Sequence, residues 1–129
     1  MRREPRWLSL EECLAVHDLM LSDYGGLTGV RDLPLLESAL AQPRQLYRYD
    51  KPALPELAAA YTAGILQNHP FFDGNKRTGF MLGAGFLELN GWNFIAAEAD
   101  AAVATLALAA GEWQEATYAA WMQANARPA

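Results

Sequence analysis

The chain has 129 residues, with 15 Asp and Glu against 10 Lys and Arg for a formal charge of -5. That balance argues against a domain that grips a nucleic acid backbone by counterion release, and the length suits a single domain over 1–129 with its own core. One cysteine, Cys13, excludes an internal disulfide; with His17 and His69 far apart, no clustered zinc-ligand spacing arises. The opening arginines are followed by no signal-peptide core and the apolar runs fall short of a membrane span, so a reduced, cytoplasmic, soluble protein with no nucleic acid or membrane partner is expected.

Ala and Leu supply 43 residues and Val and Ile only five, which predicts an all-α fold of about six helices. Ser9 with Glu12 reads as a capping box opening a first helix. Its stripe runs through Leu10, Cys13, Leu14, Val16, His17, Met20, Leu21 and Tyr24 to a stop at Gly25-Gly26. Asp32 and Pro34 start a short helix with Leu33, Leu36 and Leu40 inside, ending before Pro43. Residues 42–55 hold three prolines and show no helical period, which predicts an exposed flap, with room for a short hairpin. A helix from about Pro55 to Asn68 follows, cored by Leu57, Tyr61 and Ile65 and ended at His69 by Pro70. The next begins near Gly74 or Asn75 and closes at Asn90-Gly91. Its stretch Gly79 to Leu87 lacks any polar side chain, so it is expected to be the buried central helix, with Gly79, Gly83, Ala84 and Gly85 admitting close neighbours. Trp92 to Ile95 suits a short strand, and Glu98 to Ala110 and Glu112 to Ala126 two closing helices.

From Pro52 to Ala126 the only Lys or Arg residues are the adjacent Lys76 and Arg77, against seven acids. Both fall in the first turn of the buried helix, where free amides and the macrodipole already make the potential positive and disfavour cations. An anion there removes the conflict, and a glycine turn leading into a helix with Lys and Arg is a phosphate site in physical terms. Asp73 just before it would repel a bare phosphate, which points to a Mg²⁺-polyphosphate. His69 stands at the mouth of the same turn, and imidazole is the usual side chain for taking a hydroxyl proton at physiological pH. Phe71 or Phe72 is expected to pack inward.

Residues His69-Pro70-Phe71-Phe72-Asp73-Gly74-Asn75-Lys76-Arg77-Thr78 resemble the signature of the Fic fold, and the lysine at 76 is similar to its death-on-curing (Doc) branch. The likeness extends to Tyr24-Gly25-Gly26-Leu27 before the motif and Asn90-Gly91 after it. It implies a Fic/Doc-like helical bundle with a short flap. It also implies a toxin that uses ATP and Mg²⁺ to modify a hydroxyl on a translation factor, with elongation factor Tu the expected target, restrained by an antitoxin of the Phd type. Carried over by position, the catalytic set is His69 as general base, Asp73 as the metal ligand, Lys76 and Arg77. Gly74, Asn75, Lys76 and Arg77 hold the nucleotide. AMP-transferring members have glycine where this chain has Lys76 and a second arginine where it has Phe80, so γ-phosphate transfer is the favoured chemistry. AMP transfer and a non-catalytic binding module are the alternatives. No Ser or Thr has Glu four residues later, the mark of the family's inhibitory helix, so restraint is expected from another chain laid as an amphipathic helix in a groove.

Plainer roles compete for several residues. Asp73 suits an N-cap as well as a metal. His17 and Cys13 read as buried structural residues, the thiol inert; Phe71, Phe72 and Phe80 read as core rather than nucleotide-stacking; and Gly25, Gly26 and Gly29 read as turn residues. Tyr47, Arg48 and Tyr49 read as surface loop, with edge pairing to a target segment as the other reading.

Overall fold

The computed structural model describes residues 3–129; Met1 and Arg2, the start of the segment read for a targeting signal, lie outside them. The elements are α1 (Leu10–Tyr24), α2 (Leu33–Asp50), α3 (Leu54–Asn68), α4 (Asn75–Leu89), β1 (Trp92–Phe94), α5 (Glu98–Ala109), α6 (Glu115–Ala124) and β2 (Ala126–Pro128). One apolar cluster takes side chains from all six helices. No helix among the described residues is long and apolar enough to cross a membrane.

The first helix forms as its sequence dictates. Ser9 Oγ accepts the Glu12 amide and Glu12 Oε1 accepts the Ser9 amide, and Cys13, His17, Met20 and Leu21 are buried. Tyr24, assigned to the same stripe, is instead half exposed.

The flap expected over 42–55 is not there. α2 is capped at Asp32, whose Oδ1 accepts the Leu35 amide at 3.0 Å, but it runs through Pro43 to Asp50. Leu33 is exposed; the buried stripe is Leu36, Ala39, Leu40 and Pro43, continued by Leu46 and Tyr47, so the helical period persists with proline filling a core position. An internal proline leaves the carbonyl four residues back, Ala39, without its helical donor. Gly64 of α3 lies against that carbonyl, where a Cβ would come within 3.2 Å of the oxygen. Close backbone approach of this kind is the setting of Cα–H···O contacts, which offset part of the loss. What remains of the flap is Lys51 to Ala53, with Lys51 left-handed at φ 45°. Tyr47, Arg48 and Tyr49 are therefore helical and present no strand edge.

The central helix is α3 rather than α4. Every residue from Leu57 to Ile65 is buried, because Ala58, Ala59, Ala60, Ala63 and Gly64 are small enough for neighbours to close in from several sides. α4 is buried on one side through Thr78, Gly79, Leu82, Gly83, Phe86 and Leu87. At Gly83 a Cβ would stand 2.5 Å from Thr62 Oγ1 and 2.9 Å from the Ala58 carbonyl, at Gly79 it would make ordinary contact, and at Gly85 it would meet nothing within 4 Å. Close approach thus explains Gly83 and not Gly85. Thr62 Oγ1 donates to the Gly79 carbonyl at 2.7 Å and ties the two helices together.

The last helix is shorter than its expected span. Turns at Glu112 and Trp113, both donating to the Ala107 carbonyl, delay its start to Glu115. At the other end Ala126 to Pro128 leave the helix and pair antiparallel with β1, Phe94 opposite Ala126 and Trp92 opposite Pro128. Arg127 precedes a proline and is biased toward extended backbone, which favours strand over helix there.

Candidate active site

His69 ends α3. Its amide donates to the Ile65 carbonyl at 2.9 Å, and its backbone is left-handed (φ 49°, ψ 54°), a region in which histidine is more common than most residues. Arg31 locks it there: Nε donates to the His69 carbonyl at 2.8 Å and Nη2 to the Asn68 carbonyl at 3.0 Å. Those carbonyls carry the negative end of the α3 dipole, so a guanidinium is the complementary cap. The imidazole itself is exposed and takes part in no hydrogen bond among the described residues.

The turn from Pro70 to Gly74 is held against the loop that follows α1. The Pro70 carbonyl accepts the amides of Arg31 and Asp32, and Val30 bridges Phe71. Phe71 is the aromatic that packs inward, fully buried, while Phe72 is half exposed. Asp73 does not cap α4: Oδ2 accepts the Leu27 amide at 2.7 Å, and Oδ1 has no bond within the described residues. Gly26 makes room for it, since a Cβ there would come within 3.0 Å of Asp73 Cβ.

The cap of α4 is Gly74, left-handed at φ 79° and without a side chain to offer. The first amide of α4 to find an acceptor is that of Thr78, on the Gly74 carbonyl at 2.9 Å. The amides of Asn75, Lys76 and Arg77 are the orphan donors of a helix start. Asn75, one of the expected nucleotide ligands, is buried, and both polar atoms of its side chain bond the backbone of Phe71. Oδ1 accepts the Phe71 amide at 3.1 Å and Nδ2 donates to the Phe71 carbonyl at 2.9 Å. Its backbone amide, at the helix start, is a further group it can offer a phosphate. Lys76 is exposed and reaches no carboxylate among the described residues. Arg77 lays its guanidinium over the Tyr24 ring at 4.2 Å, which uses its face and leaves its edge N–H groups free. Tyr24 in turn donates to Glu98 Oε1 at 3.2 Å, and the negative charge of Glu98 pushes the phenol up from its ordinary value.

The structure thus gathers Asp73, Gly74, Asn75, Lys76 and Arg77 at one helix start, with His69 on the turn leading to it. Sequence reasoning missed three supports, Arg31, the Leu27 amide and His17, because none lies near the motif in the chain. Phe80, half buried, packs edge-on to Phe94 at 5.6 Å and beside Trp121, so that face of α4 is covered by β1 and α6. Among the described residues the buried hydroxyl of Thr78 has no hydrogen-bond partner.

A small helical fold with an exposed histidine ahead of an uncapped, cation-bearing helix start is an arrangement physically suited to an anion. A family model described as the Fic/DOC family matches residues 7–87, more than half of the chain, which therefore belongs to that family. It is 36% identical over 87 residues, covering 67% of this chain and 69% of the relative, to a protein named "Protein kinase doc" from Escherichia phage P1. It is 41% identical over 70 residues, covering 53% of this chain and 54% of the relative, to a "Toxin Doc" from Mycolicibacterium smegmatis. The chain spans about two-thirds of the length of the first relative and about half that of the second. Both place it on the Doc branch.

Proposed function

We propose that the chain is the toxin of a toxin-antitoxin pair and transfers the γ-phosphate of ATP to a Ser or Thr hydroxyl of a translation factor, expected to be elongation factor Tu, so inhibiting protein synthesis. The observation that carries this reading is an unbonded imidazole at the end of α3 leading into a helix start whose amides are free and whose first turn bears two cations. In the transfer the acceptor oxygen bonds to the γ-phosphorus, the bond from that phosphorus to ADP breaks, and His69 takes the hydroxyl proton. Lys76, Arg77 and the amides of residues 74–77 hold the phosphate charge.

Asp73 is the residue that would hold Mg²⁺. One carboxylate with a free oxygen suits an ion that brings its remaining ligands as nucleotide phosphates and water. When bound, the metal neutralises charge on the β- and γ-phosphate oxygens. Two observations support phosphate over AMP transfer: the position of the second arginine in AMP-transferring members is occupied by Phe80 inside an aromatic cluster, and a relative carries the name protein kinase. The name of the second relative, a toxin, supports a partner antitoxin, and the proposal takes it to be of the Phd type, seated as a helix in a groove.

ATP labelled on the γ- or on the α-phosphate, supplied with a translation extract, tests this. γ-Label alone is expected on one protein, lost in His69→Ala and Asp73→Asn. Asn at 73 keeps an oxygen for the Leu27 amide, so that variant should fold while losing the magnesium dependence of ATP uptake. Transfer of α-label would replace the kinase with an AMP transferase, and no transfer of either label would leave a binding module.

A further inference from the structure

His17 lies on α1, 2% exposed, outside the motif. Its ring stacks flat on Phe71, with centroids 3.7 Å apart and planes 9° from parallel. Nε2 stands 2.9 Å from the Asp73 carbonyl, and since a carbonyl can only accept, Nε2–H is the donor. We propose that His17 is a positioning residue that aims the Gly74 amide into the phosphate site; the inference rests on the function proposed above.

The reason is peptide geometry. In a trans peptide the C=O of one residue and the N–H of the next point in opposite directions. Drawing the Asp73 carbonyl back toward α1 therefore turns the Gly74 N–H away from α1. The ring also lies directly beneath the turn, since a Cβ on Gly74 would sit 3.7 Å from His17 Nε2. Gly74 is left-handed and Asn75 begins the right-handed helix, and successive amides across such a junction form a concave anion nest. The other clamps act elsewhere: Asn75 holds the backbone of Phe71, and Leu27 holds the carboxylate of Asp73. Among the described residues only His17 holds the carbonyl of the 73–74 peptide. Without it the peptide is free to rotate and turn the negative end of its dipole toward the phosphates.

Gln and Asn at 17 separate this role from simple packing, because they carry the same amide and differ by one methylene in reach. In a His69→Ala background, where no turnover occurs, Mg-ATP affinity is measured by calorimetry. His17→Gln is expected within about threefold of the parent, and His17→Asn about 10- to 100-fold weaker, the scale of one charge-assisted hydrogen bond. With His69 intact, the KM for ATP should rise in His17→Asn while the KM for the protein acceptor stays put. Loss of folded protein alone would lower kcat and leave both unchanged. Equal affinity in parent and His17→Asn, or equal weakness in the two variants, would overturn the positioning role and leave the proposed function standing. A parent that takes up no Mg-ATP would overturn both. Independently of any variant's folding, the ¹⁵N-glycine resonance of Gly74 in the wild-type chain should shift on adding Mg-ATP, and an unmoved resonance counts against the role.

Discussion

Replacing Gly83 with alanine tests the packing that joins the two helices flanking the site. The new Cβ would sit 2.5 Å from Thr62 Oγ1, 2.9 Å from the Ala58 carbonyl and 3.1 Å from Met122 Cε. Two of the three neighbours are not free to give way: Ala58 O is backbone, and Thr62 Oγ1 is held by its bond to the Gly79 carbonyl. Overpacking costs about 1–3 kcal/mol and a displaced buried hydroxyl about 1–3 kcal/mol more, against a gain of about 1 kcal/mol from alanine's helix propensity. The net is a loss of about 3 kcal/mol, which in a chain of this size lowers Tm by roughly 10 °C. Gly85, two residues on in the same helix, is the control. A Cβ there meets nothing within 4 Å, so Gly85→Ala should gain about 0.5–1 kcal/mol. Urea denaturation followed by circular dichroism reads both. A Gly83→Ala protein as stable as wild type, or two variants with the same sign, would refute the close packing of α3 on α4.

Single residues carry two further predictions. The left-handed backbone of His69 costs a non-glycine residue about 1–2 kcal/mol, and its imidazole makes no bond that offsets this. His69→Gly should therefore raise stability by about 0.5–1 kcal/mol while abolishing transfer; a less stable glycine variant in urea would mean that the ring has a structural role. Burial pushes the Cys13 thiol up from 9.0 to about 12, so the folded state keeps its proton where the unfolded chain loses it. Stability from this group is fully present below pH 9.0 and is lost as the pH rises from there toward 12, by at most about 1.4 kcal/mol per pH unit. Cys13→Ala should flatten that alkaline slope, and an unchanged slope would place its origin elsewhere, with Tyr61 and Tyr118, also raised by burial, next in line.

Elements whose signals are local were legible in the chain. The capping box of α1, the bounds of α3 and α4 and the strand at Trp92 each rest on a few adjacent residues. The failures share a cause in tertiary contact. Proline is a helix breaker by a local rule, and at Pro43 that rule yields to burial on the stripe of α2 and to the approach of Gly64 to Ala39. An apolar run marked α4 as central, yet its Phe80 side faces an aromatic cluster, whereas the small residues of α3 let helices close in around it. β2 has three residues and no period, and only pairing with β1 reveals it.

The site divides in the same way. The residues gathered at its helix start were legible because the motif is contiguous in the chain. Its geometry was not, because the groups that set it lie 38 to 56 positions away and one of them is a backbone amide with no side-chain signature. Asp73 is the clearest instance. From the sequence it could cap the helix or bind a metal, and had it capped α4, part of the positive helix start would have been satisfied from within. The Leu27 amide draws the carboxylate aside, Gly26 leaves the space it needs, and the cap falls to a glycine that satisfies nothing. The glycines after α1, legible only as a turn, are thus part of what keeps the α4 amides open to an anion.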